Sequence, residues 1–80
     1  MKFLQNLLRI EPILRRMGMT LSGDAAHVSV MAGETLITLT RTNGKSYLIS
    51  SLMPYQEPKE LQTLEEPTSE ELLSAIQEAR

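Results

Sequence analysis

The groups from which this chain could build acid–base chemistry are few: one histidine, His27, one aspartate, Asp24, and the adjacent glutamates Glu65-Glu66 and Glu70-Glu71. A serine or threonine nucleophile needs a base beside it and a third group to orient that base. One imidazole and one aspartate leave room for a single such set. The alternation around His27 predicts an exposed strand residue on a polar face, beside Thr20 and Thr38, with an ordinary solvated role. The glutamate pairs fall in a linker and at a helix start, where solvated acidic runs are the simpler reading than an acid/base pair. The chain has no cysteine, which removes thiolate catalysis, cysteine-ligated zinc and a disulfide framework together. His and Asp do not recur at metal-ligand spacing. The glycines at 18, 23, 33 and 44 stand alone, so no glycine-rich loop leads from strand to helix to cradle a phosphate. The expectation is a protein that is not an enzyme and takes no metal, cofactor or small-molecule substrate.

Charge and apolar surface are what remain. Lys2, Arg9 and Arg16 recur every seven residues, with Arg15 adjacent, and would form a basic stripe able to meet phosphates or an acidic protein. The net charge of −2, with one phenylalanine and two tyrosines, gives little support to nucleic-acid binding. Charge is divided along the chain: residues 1–50 hold six basic and three acidic side chains, residues 51–80 hold two and seven. That division predicts two surfaces of opposite sign.

The elements that position these residues follow from periodicity. Phe3, Leu4, Leu7, Leu8, Ile10, Ile13, Leu14 and Met17 keep the spacing of an amphipathic helix that Gly18 stops, and Pro12 inside it predicts a kink. From Met19 to Leu52 the period becomes two, divided by turn signals at Gly23-Asp24, Ala32-Gly33 and Asn43-Gly44. Two-residue loops there would pair Leu21 with Ala26, Val28 with Ile37, Val30 with Thr35, Leu39 with Leu48 and Thr42 with Lys45. One face then collects Met19, Leu21, Ala26, Val28, Val30, Ile37, Leu39, Leu48 and Leu52, and the other is polar apart from Leu36, Tyr47 and Ile49. Pro54, Pro58 and Pro67 among glutamates read as a linker over residues 53–67. Thr68-Ser69-Glu70-Glu71 is a capping box opening a helix with Leu72, Leu73 and Ile76 on one stripe.

The fold class these signals predict is α+β in two layers, in the order α-β-β-β-β-α. The N-terminal helix lies on a four-stranded antiparallel meander (residues 1–52), followed by a linker (53–67) and a C-terminal amphipathic helix (68–80). One helix about 10 Å across covers only half of a four-stranded face about 19 Å wide, so the C-terminal helix or another subunit must cover the rest. No apolar run approaches the roughly 20 residues that span a bilayer, and Gln5, Asn6 and Arg9 interrupt the apolar start before a signal sequence can form. The cytoplasm is the expected compartment. The expected function is protein binding, as an adaptor, inhibitor or assembly factor, with another protein or a second copy of the chain as partner. Leu72, Leu73, Ile76, Leu36, Tyr47 and Ile49 are the candidate contact residues. The alternative is a nucleic-acid-associated protein using Lys2, Arg9, Arg15 and Arg16.

Overall fold

The computed structural model describes residues 2–80, with the Lys2 side chain outside the described part. The order is α1 (Lys2–Arg16), β1 (Met19–Asp24), β2 (His27–Ala32), β3 (Thr35–Asn43), β4 (Ser46–Leu52), β5 (Lys59–Glu65) and α2 (Ser69–Ala79). The strands form one antiparallel sheet in the order β1-β2-β3-β4-β5. The class is α+β as expected, but the sheet has five strands rather than four. The additional strand, β5, lies inside the segment expected to be a linker.

Both helices pack on one face of the sheet. α1 buries Phe3, Leu7, Ile10 and Leu14, and α2 buries Leu72, Ala75, Ile76 and Ala79, against Met19, Val28, Val30, Ile37, Leu39, Tyr47 and Ile49 of the strands. The leucine, isoleucine, valine, methionine and phenylalanine side chains among these contribute about 1.5–3 kcal/mol each when fully buried. α1 continues as one helix through Pro12. Pro12 is exposed, so the Leu8 carbonyl that loses its donor lies on the solvent side. The capping box forms as expected: the Glu71 amide donates to Thr68 Oγ1 (3.2 Å) and the Thr68 amide donates to Glu71 Oε1 (3.1 Å).

Each turn sits later in the chain than its dipeptide signal. The β1–β2 loop is Ala25-Ala26, so Leu21 faces Val30 and not Ala26. Asp24 Oδ1 accepts from the amides of Ala26 (2.9 Å) and His27 (3.2 Å), which places Asp24 before the turn and not within it. The next two loops are Gly33-Glu34 and Gly44-Lys45. In both the glycine has positive φ and its successor does not, the pattern of a type II′ turn and not the type I′ turn an Asn-Gly dipeptide suggests. The partners across the first two ladders shift by even numbers, Leu21 from Ala26 to Val30 and Val30 from Thr35 to Ile37, so Val28, Val30, Ile37 and Leu39 keep their expected inward face, with Val28 opposite Leu39.

Across the third ladder the partners shift by one, an odd number. The ladder between β3 and β4 shifts between Arg41 and Asn43, so Thr42 is an extra residue, and Leu39 faces Ile49 and not Leu48. One inserted residue turns β4 over. Tyr47 (3% exposed) and Ile49 (0%) are core residues, while Leu48 and Leu52 lie on the open face.

Candidate functional site

The structure places the six expected contact residues in different environments. Leu72 and Ile76 are fully buried, and Leu73 packs partly buried against the same core. Of the two places expected for this stripe, its own domain or a partner, it occupies the first, packed on the chain's own sheet and α1. Tyr47 and Ile49 are buried by the bulge at Thr42, and the Tyr47 ring stacks on Phe3 with centroids 3.6 Å apart. Only Leu36 remains on a surface, half-buried. The placement of these five has one cause: a small domain uses its large apolar side chains to close its own core.

On the basic stripe, Arg9, Arg15 and Arg16 are exposed as expected, and Arg15 pairs with Glu11 one turn away (3.9 Å). The Lys2 side chain lies outside the described residues.

The open face of the sheet is built in rows, because directly opposed residues on antiparallel strands point the same way. Asp24, His27, Thr40, Leu48 and Thr63 form one row, and Ser22, Ser29, Thr38, Ser50 and Glu60 the next. The third row is Thr20, Met31, Leu36 and Leu52. Three of its four members are large and apolar, and Met31 and Leu52 are 40% and 37% exposed. This row runs directly into the β4–β5 connection, where Met53 is 48% exposed and Tyr55 wholly exposed. Tyr55 holds a left-handed backbone conformation (φ 62) in a turn closed by the Gln56 amide donating to Met53 O (3.2 Å). For a non-glycine residue that conformation costs about 1–3 kcal/mol, and here it holds an aromatic ring entirely in water. Sequence reasoning did not single out Met53 and Tyr55. Their signal was an apolar pair beside Pro54 within an otherwise polar stretch.

The row above contains the nearest approach to catalytic geometry. His27 Nδ1 lies 3.0 Å from Thr40 Oγ1, with Asp24 opposite His27 in the ladder. Asp24 Oδ1 is engaged by the amides of residues 26 and 27, and the imidazole–hydroxyl contact is exposed. None of the three residues lines the cleft described below. The pair reads as a cross-strand contact. Among the described residues no three His, Asp or Glu side chains stand together to hold a metal ion.

A cleft of about 620 Å³ lies at the end of the sheet where the β3–β4 turn meets the start of both helices, lined by Phe3, Asn6, Lys45, Tyr47, Glu66 and Thr68 among others. Its polar groups already satisfy one another. Lys45 Nζ meets Glu66 Oε1 at 3.1 Å, Asn6 Nδ2 donates to Pro67 O at 3.0 Å, and the Thr68 hydroxyl caps α2. Binding there would have to break these contacts, whereas the open face presents apolar surface with nothing to displace but water.

No described helix is long and apolar enough to cross a membrane. The chain matches no protein-family model, and it has no significant match among curated proteins or solved structures.

Proposed function

We propose that the chain is a small non-enzymatic protein-binding module, acting as an adaptor, inhibitor or assembly factor, that holds its partner against the open face of the sheet. The observation that supports this reading is the apolar row Met31–Leu36–Leu52 on the face that neither helix covers, together with the exposed Met53 and Tyr55 of the connection that follows Leu52. Its composition suits recognition. Tyrosine supplies a large rigid contact with a polar tip, methionine adapts to an irregular partner surface, and the small hydroxyl side chains of the neighbouring row let a partner approach closely. In such an interface one or two anchors carry at least about 2 kcal/mol each, and Tyr55 and Leu36 are those anchors here. The partner has an apolar patch of its own with a polar rim.

The test compares three immobilised proteins in extract of the native host: the wild type, Leu36→Glu and Tyr55→Ala. Both variants change side chains outside the core, so circular dichroism and the urea midpoint verify that each stays folded. The expected result is one stoichiometric protein retained by the wild type and lost by both variants. Equal retention by all three contradicts the reading.

A further inference from the structure

The cations of this chain are sorted away from one face of the sheet. Of its eight lysines and arginines, four belong to α1 and Arg80 ends α2, both on the helix-covered side. Arg41 and Lys59 stand opposite Tyr47 and Ser51, in rows whose side chains also point to the helix side. Lys45, in the β3–β4 turn, is engaged by Glu66 (3.1 Å). Among the described residues the open face therefore holds no lysine or arginine. It holds three exposed carboxylates, Asp24, Glu60 and Glu65, and one imidazole, His27. α1 is about 10 Å across and lies beyond the sheet, so its arginines are more than one Debye length of about 8 Å from this face at physiological salt. They do not cancel its negative potential.

Acid also frames the apolar row Met31–Leu36–Leu52. Glu60 lies in the neighbouring row beside Ser50, two residues along the strand from Leu52 and so roughly 7 Å away. Glu34 in the β2–β3 turn and Glu57 in the β4–β5 connection, both exposed, lie beyond the other side of the row.

The row crosses the strands, so its side chains recur about every 4.8 Å. Successive turns of an α-helix repeat at about 5.4 Å, whereas a strand returns to the same face only at about 6.7 Å. The helix is the closer match over three residues. Laid along the row, it brings one apolar side chain per turn to Met31, Leu36 and Leu52. The residues flanking its apolar stripe then meet Glu60 on one side and Glu34 and Glu57 on the other.

Resting on the binding face argued above, we propose that the partner segment it holds is a basic amphipathic helix, with apolar residues at i, i+4 and i+7 flanked by lysine or arginine. The apolar row supplies the contact, and the carboxylates around it select and steer the cationic partner. The same carboxylates repel the phosphates of a nucleic acid or of an anionic bilayer.

Two labelled helical peptides with one leucine stripe in common, one flanked by lysines and the other by glutamates, test this by fluorescence anisotropy against the whole chain. The expected result is that the lysine peptide binds, more weakly as salt rises, and that the glutamate peptide binds far less. Glu60→Lys should weaken the lysine peptide by about fivefold, the upper range for one exposed charge pair. Glu78→Lys, on the outer side of α2, should leave it unchanged. Both substitutions are at exposed positions. Leu36→Ala should weaken the lysine peptide at every salt concentration, because it removes apolar contact and not charge. Equal affinity for the two peptides, binding of neither, or no effect of Glu60→Lys overturns the proposal. Failure of the binding face itself is read separately, from retention of a host protein by the wild type and its loss in Leu36→Glu. A host protein retained through the face by an acidic segment refutes the basic helix and leaves the face standing.

Discussion

Replacing Ile49 and Leu48 by alanine, one at a time, asks which face of β4 is the core. Ile49 is wholly buried and faces Leu39, itself wholly buried. Ile49→Ala removes three carbons at about 0.8 kcal/mol each, or about 2.4 kcal/mol of lost transfer energy. A cavity of roughly 50 Å³ adds about 1.2 kcal/mol at about 24 cal/mol per Å³. The expected loss is therefore roughly 3–4 kcal/mol, a large share of the about 4–12 kcal/mol typical of a domain of this length. Leu48→Ala removes as many carbons, but its side chain is half-buried on the open face, opposite Thr40 and Thr63. No closed cavity results, and the expected loss is about 1 kcal/mol. Urea titration followed by circular dichroism reads both, and with a slope of about 1 kcal/mol per molar the Ile49 variant should move the midpoint by about 3 M. If Leu48→Ala costs as much as Ile49→Ala, or more, then β4 is not turned over by Thr42 and the assignment of the open face fails with it.

Three further outcomes follow from the same packing. Leu72→Ala should cost about 3 kcal/mol, because α2 is part of the core and leaves a cavity against the sheet when truncated; a loss below about 1 kcal/mol in the same titration would make α2 a dispensable appendage. Thr68→Ala should cost about 1 kcal/mol through loss of the α2 cap, and Thr68→Ser, which keeps a hydroxyl acceptor, should recover most of it. Random duplex DNA at low salt should show no retarded band with the wild-type chain; a band that disappears as salt rises would instead give the exposed Arg9 and Arg16 a phosphate partner.

Much of the fold was legible in the sequence, since the strongest signals were local and redundant. The 3.6 period of α1, the capping box at Thr68 and the inward set Val28, Val30, Ile37 and Leu39 each rest on several residues, and all are found. The sign of β4 rested on a single count of loop residues. A bulge at Thr42 leaves no mark in composition, yet it exchanges Tyr47 and Ile49 for Leu48 and Leu52. β5 was illegible for a different reason. Lys59–Glu65 has one β-branched residue, Thr63, and its alternation is broken at Leu61, so nothing intrinsic marks it as a strand and the ladder with β4 makes it one. Tyr47 and Ile49 inherited the error in β4 and became core, and Leu72 and Ile76 are core because α2 folds back on its own sheet. The surface strip became visible only once the rows of the sheet placed Met31, Leu36 and Leu52 side by side.

Site-specific photocrosslinking in cells of the native host tests the proposed binding face most directly, with a photoreactive residue placed at Leu36 on the open face or at Arg9 on the exposed side of α1. The account predicts one discrete protein adduct from position 36, lost when Tyr55→Ala is introduced into the same chain, and no corresponding adduct from position 9. An adduct from position 9 alone, or an adduct from position 36 that Tyr55→Ala leaves unchanged, would contradict it.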